Sequence, residues 1–373
     1  MPESELHRGE VRLHRRKTAA IAGVLVLVSL VSLFILTGHG EFVNPADVFS
    51  CYGLWLNNFF AQLSGSGAVL APNELLARNS GFFLIVNRVP LTLITILCGG
   101  LLAVAGTLYQ NAFRNPIASP SMLGVSSAIQ LGDVVLVMLL GGGAVYAHGM
   151  RYLICYACIA VVMVVLFGCG RFMTGKGRPF NIVNLLLIAT ILNQIIGVLV
   201  TYVTMFYFTF EEWEVFTGLS EALEVSFSPA SWLMLALTCV IGLLPVALMR
   251  FRLNALSFDD AEMRLMGVNA NRLRVLAVLC GTVLLMGAQV EMGTVAMVSL
   301  VVPHVSRMVF GAEFRKQFWG NVLMGAALLV FCRDVVAFIP YIGGIIPLSV
   351  VVNFVVLPFF VWMLATQQRS WGQ

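Results

Sequence analysis

Residues 89–111 read VPLTLITILCGGLLAVAGTLYQN, with no charged side chain among them. A run of about 20 apolar residues is long enough to cross a bilayer as an α-helix. In lipid the backbone must satisfy its own hydrogen bonds, which a helix does and a lone strand does not. Small residues recur inside the run at Cys98, Gly99, Gly100, Ala103, Ala105 and Gly106. They allow neighbouring backbones to approach closely. The expected setting is a crowded central helix rather than a lipid-facing one.

The same pattern recurs on both sides of this run. Apolar stretches predict ten spans, at 19–37, 89–111, 121–140, 152–170, 182–206, 230–249, 275–292, 294–310, 320–338 and 345–364. Only Met292 and Gly293 separate the seventh from the eighth, so one long re-entrant element is an alternative there. Composition agrees: 59% of the 373 residues are hydrophobic, 11% are charged, and the mean hydropathy is +0.92. A soluble chain of this length would lack the polar surface to cover so much apolar area. The expected fold is an all-α polytopic membrane protein with about ten transmembrane helices. It divides into an N-terminal segment 1–18, a single transmembrane domain 19–365 and a tail 366–373. The run 19–37 spans a membrane and carries no obvious cleavage site, so it reads as an anchor rather than a signal peptide.

Charge sets the orientation. With both termini in the cytoplasm, all of the 22 basic residues except Arg78, Arg88, Arg151 and Arg333 fall on the cytoplasmic side, as the positive-inside rule requires. The expected location is the inner membrane of a bacterium. Outer segments are acidic, with Glu41, Asp47, Glu74, Glu211, Glu212, Glu214, Glu221 and Glu224. The outer segment 38–82 includes an aromatic stretch, 52–60, suited to the membrane interface. The inner segment 250–274 places Asp259, Asp260 and Glu262 ahead of Arg264, an order that suits a helix dipole. Short helices below the membrane are expected there.

Motifs for catalysis fail on inspection. Residues 170–177 read G-x-x-x-x-G-K-G, but a phosphate loop needs Ser or Thr after the lysine, and Gly177 stands there. If ATP drives this protein, another chain binds it. Cys155 and Cys158 form a C-x-x-C with no second pair, and most of the eight cysteines lie in apolar runs, so no disulfide framework is inferred. The five histidines lack metal-ligand spacing. No resident cofactor or metal and no nucleic-acid partner is expected; lipid is the surrounding medium. Polar residues inside spans are costly and mark either interhelical hydrogen bonds or a substrate path. They are Gln110, Gln130, Asp133, Asn193, Gln194, Gln289, Glu291, Arg333 and Asp334. Asp133 and Glu291 leave open a second reading, a secondary transporter driven by an ion gradient.

Three ordered blocks carry a family resemblance. The first is Arg88-Val89-Pro90, Gly99-Gly100, Gly106, Gln110, Arg114-Asn115-Pro116, Pro120 and Leu123-Gly124; the second is 253–256, Asp260, Arg264 and Gly267-Val268; the third is Val302-Pro303-His304 with Arg307 and Gly311. Together with 358–360 they resemble the FecCD-type permeases, membrane subunits of type II ABC importers for iron-siderophores, haem and cobalamin. The resemblance covers roughly residues 85–365. It implies ten helices per subunit, a second permease copy in a homodimer and a central path worked by alternating access. It also implies two ATPase subunits that hold ATP and Mg, and a periplasmic or surface substrate-binding protein. Asn254, Asp260, Arg264, Gly267 and Val268 match the loop that contacts the ATPase. Arg88 matches a position that docks the binding protein; Arg78, Glu211, Glu212 and Glu214 are the neighbouring charges expected to share that task. Gln110, Asn193, Gln194, Met297 and Ser299 are the path candidates. The chain departs from the family pattern at Leu91 and Phe338, where docking arginines are common, and at Ala296, Met297 and Ser299, where glycines are common.

Overall fold

The computed structural model describes residues 19–29, 31, 37–38, 41–42, 50, 53–54, 57, 81–174, 182–221, 229–258, 260–311, 313–338 and 346–371. Within them the chain forms α1 (Ala19–Ser29), α2 (Gly81–Phe113), α3 (Val125–Leu140), α4 (His148–Thr174), α5 (Ile182–Phe206) and α6 (Phe210–Glu221). It continues through α7 (Pro229–Leu253), α8 (Asp260–Leu265), α9 (Ala270–Met292), α10 (Ala296–Phe310), α11 (Phe314–Phe338) and α12 (Leu348–Trp371). Thr37–Gly38 pairs with Glu41–Phe42 in a two-residue antiparallel ladder. Each expected span meets a helix. Seven of them (α2, α3, α4, α5, α7, α9 and α11) are long and apolar enough to cross a membrane, and α1, α10 and part of α12 are shorter apolar helices.

α2 is the axis of the bundle. Its 33 residues reach about 50 Å, and α11, α9 and α10 pack around it. The small residues are the reason. A Cβ on Gly99 would enter the carbonyl of Gly325 on α11, and one on Gly325 would enter that of Gly99 and meet the Cβ of Ala103 at 2.8 Å. A Cβ on Gly281 of α9 would meet the ring of Tyr109 at 2.8 Å. Backbone-to-backbone contact of this kind substitutes for the hydrophobic drive that helices lack within lipid. By contrast α5 exposes a broad apolar face, with Ile191, Ile195, Val198, Tyr202 and Met205.

The boundaries refine the sequence reading. α9 stops at Met292 because Gly293 adopts φ 73°, and Val295 donates to Gly293 O at 2.9 Å before α10 begins. The seventh and eighth spans are therefore two separate helices and not one continuous element. The fourth span is an unbroken helix of 27 residues. α7 runs on to Leu253, past the expected start of the inner segment at 250, and only a 3-10 turn (Asn254–Ser257) and α8 follow before α9. Arg78, Glu224 and the stretch 175–181 lie outside the described residues, as does most of 38–82.

Candidate functional site

One end of the bundle is organised by the C-terminus of α2. Arg114 takes φ 48°, a left-handed conformation unusual for a side chain larger than glycine. It closes the helix: Asn115 N donates to Gln110 O at 3.1 Å and Arg114 N to Asn111 O at 3.3 Å. Pro116 then prevents the helix from resuming, and Asn115 Oδ1 accepts from Ile117 N at 3.0 Å. The same backbone turn aims the guanidinium at the inner segment. Its Nε donates to Leu256 O at 3.3 Å, its Nη2 donates to Phe258 O, and Nη2 lies 3.7 Å from Met263 Sδ. Asn254 reaches the other way, its Oδ1 accepting from Phe314 N at the start of α11 at 2.8 Å.

The inner segment is amphipathic. Leu253, Leu256 and Met263 are enclosed, whereas Phe258, Arg264, Leu265 and Met266 face outward, Leu265 with 89% of its surface free. α8 ends on Gly267 at φ 73°, with Gly267 N bonded to Arg264 O at 3.0 Å and Val268 N to Met263 O at 2.9 Å. Asn269 immediately caps α9 by accepting from Arg272 N at 3.1 Å. Gly267 and Val268 thus supply the turn, and Asn254 ties the segment to α11. Arg264 is exposed on α8; Asp260 opens α8, its side chain lying outside the description. Beside this end Glu313 pairs with Lys316 at 2.7 Å, which holds its carboxyl below the ordinary range.

A seam between α2 and α10 joins the residues of the first and third blocks. Pro303 has no N–H, so the carbonyl of Ser299 one turn earlier loses its helical donor. Gly106 sits against that freed carbonyl: a Cβ there would overlap it and meet Pro303 Cγ at 3.0 Å. One turn on, Gln110 Nε2 donates to Leu300 O at 2.8 Å while its Oε1 accepts from Arg307 Nη2 at 2.7 Å. Ser299 Oγ donates to Ala296 O at 2.7 Å and lies 3.3 Å from Ser119 Oγ. Gln110 and Ser299 are both enclosed, and each path candidate here also has a packing role. Met297 and His304 are half-buried on α10. On α5, Asn193 accepts from Ser127 at 2.8 Å and donates to Met122 O at 3.0 Å and Ser121 O at 3.3 Å, bracing the turn before α3; Gln194 is exposed beside it.

The opposite end holds groups that the sequence did not bring together. Arg151 reads in sequence as an outer-end charge, but only 6% of it is exposed. It forms a two-point ion pair with Asp133, Nε to Oδ1 at 2.7 Å and Nη2 to Oδ2 at 3.1 Å. Tyr152 OH donates to Glu291 Oε1 at 2.8 Å. Other bonds between helices join Tyr109 OH to Thr282 Oγ1 at 2.5 Å and Asn321 Nδ2 to Thr107 Oγ1. α6 carries Glu211, Glu212 and Glu214. Glu212 is committed to a cap: its Oε2 accepts from Thr209 N at 2.8 Å and Thr209 Oγ1 at 2.9 Å. These two bonds, the backbone one first, hold its carboxyl below the ordinary range. Glu211 and Glu214 are exposed. Arg88 lies on the first turns of α2, its side chain outside the description.

Comparison with known proteins gives the arrangement a family. A model of the FecCD transport family matches residues 24–366. The Helicobacter pylori protein named "Probable iron chelatin transport system permease protein" is 30% identical over 279 residues, which covers 74% of this chain and 80% of that protein. The Yersinia pestis hemin transport system permease protein HmuU is 30% identical over 76% of this chain and 83% of its own length. The Salmonella typhi vitamin B12 import system permease protein BtuC is 28% identical over 80% and 89%. A solved inward-facing structure assigned to the metal-chelate type of ABC transporter shares the fold, with TM-score 0.68 and 22% identity over 93% of this chain and 99% of that one. With the ordered blocks gathered on α2, the inner segment and α10, and the match extending over nearly the whole chain, this multi-pass membrane protein is a permease of the FecCD transport family.

Proposed function

We propose that this chain is the path-forming subunit of an ATP-driven importer whose cargo is a bulky iron chelate, haem or a corrinoid. Two copies of it would enclose the path, with both termini in the cytoplasm of a bacterium and the inner segment below the membrane. ATP and Mg would bind to two partner ATPase subunits, and a separate binding protein would select the cargo outside. The cargo class is supported by the named relatives, which transport iron chelatin, hemin and vitamin B12. The orientation is supported by the distribution of basic residues.

The observation that carries the reading is the inner segment. It presents Leu265, Met266 and Phe258 around Arg264 at a bundle end, where exposed apolar groups beside charge favour a protein partner. Through Arg114 it is bonded to the end of the central helix, and through Asn254 to α11. A push on this surface is delivered directly to the two helices at the centre of the bundle. Asp260 and Arg264 would meet the ATPase surface, while Glu211, Glu214 and Arg88 would face the binding protein. The gradient-driven reading draws less support, because Asp133 is paired with Arg151 and Glu291 accepts from Tyr152. The test is co-purification of the ATPase with Leu265→Asp and Arg264→Glu. Loss of the ATPase from an intact permease is expected; full retention in both variants contradicts the assigned surface.

A further inference from the structure

Arg151 does more than neutralise Asp133. Its Nη1 donates to Val290 O at 2.6 Å and its Nη2 to Leu219 O at 2.8 Å. Val290 lies in the last turn of α9 and Leu219 in the last turn of α6. The final carbonyls of a helix have no partner within it, and a cation placed there also complements the dipole. One guanidinium therefore caps two helices that belong to different parts of the molecule. Asp133 completes the joint, since its Oδ2 is also within 3.5 Å of Ser220 Oγ on α6. A capping role alone would need only one carbonyl. The shared cap instead makes the position of α6 dependent on the position of the α9–α10 break at Gly293.

We propose that Asp133 and Arg151 are positioning residues that bind α6 and the α9–α10 break into one moving unit. The geometry leaves α6 no independent shift: moving it away from the break strips the guanidinium of a carbonyl acceptor inside a low-dielectric bundle. In the importer reading, on which the functional value of this joint rests, α6 carries the acidic surface of the outer end. The break begins α10, which holds the Ser299–Pro303 seam. A force on one would reach the other through this pair, without passing through the inner segment.

The experiment is hydrogen–deuterium exchange on the full-length permease in lipid nanodiscs. It compares the wild type with Arg151→Lys and with the double variant Asp133→Leu/Arg151→Met, followed at peptides covering 210–221 and 290–297. A lysine keeps the charge pair but lacks the planar fork that reaches two carbonyls. Both peptides are expected to exchange at least tenfold faster in Arg151→Lys and in the double variant, with α12 unchanged. Unchanged exchange in both peptides, or a rise in only one, overturns the joint. If the double variant fails to assemble, Arg151→Lys alone decides. An uptake assay on the wild-type protein separates this inference from the importer reading. Coupled exchange in a protein that shows no ATP-driven uptake would leave the joint standing and remove the importer function.

Discussion

The guanidinium of Arg307 donates to the side-chain oxygen of Gln110 at 2.7 Å, and the amide of the same glutamine donates to Leu300 O at 2.8 Å. Gln110 thus grips α10 at two points a full two turns apart. Its enclosure means that each partner loses a bond on truncation. Gln110→Ala is expected to destabilise the permease by about 1–3 kcal/mol, the cost of leaving buried polar groups unpaired. Gln110→Glu keeps the oxygen that accepts from Arg307 but replaces the donor to Leu300 O with a second oxygen, and is expected to lose less than the alanine variant. Thermal unfolding in detergent ranks the two; equal stability of Gln110→Ala and wild type would remove the clamp.

The α2–α10 seam makes a second prediction. Gly106 faces the carbonyl that Pro303 leaves free, so an added methyl has nowhere to go. Gly106→Ala is expected to cost about 1–3 kcal/mol through overpacking. Gly142, which has open space around its Cβ position, is the control and should accept alanine without loss. Melting temperatures of the two variants check this directly.

Much of this was legible in the sequence, for identifiable reasons. Ten apolar runs announce ten helices because a lone run of this length satisfies its own backbone in lipid only as a helix. The small residues from 98 to 106 also announce the crowded helix, since only close packing explains them. Their partner Gly325 could not be read, because nothing local says which helix crosses at Gly99. Asp133 and Arg151 stand at separate positions on two helices, one read as buried and the other as an outer charge, and only the packing of α3 against α4 brings them together. Glu212 shows the converse. The Thr209-x-x-Glu212 spacing is a local capping signal, and the carboxylate expected to share in docking also closes the helix end.

Arg114 holds the inner segment from a left-handed backbone position. Arg114→Gly should relax that backbone, a conformation costing an ordinary residue about 1–2 kcal/mol, while removing the bonds to Leu256 and Phe258. The expected phenotype is a permease of near-normal stability in which ATP hydrolysis continues but uptake falls at least tenfold. Uptake and hydrolysis measured side by side check this. Parallel loss of both would indicate failed assembly instead of failed transmission.

The cap on α6 sets a pH dependence. The folded-state pKa of Glu212 is lowered by its bonds to Thr209, so its contribution is present above the unfolded pKa, about 4.3. It is lost as pH falls through the lower folded value. Exchange at α6 amides is expected to rise as pH drops below about 4 relative to other helices. In Glu212→Ala the exchange should already be high at neutral pH and show no such step. Identical pH profiles for wild type and variant would contradict the cap.

ATP-driven import is tested by uptake in proteoliposomes containing this permease, its ATPase and its binding protein. A ferric siderophore, haem and cobalamin are offered separately. One of the three is expected to accumulate with ATP in the compartment that the ATPase faces, not without ATP, and not in response to an imposed proton or sodium gradient. Accumulation that follows an ion gradient in the absence of ATP would contradict it.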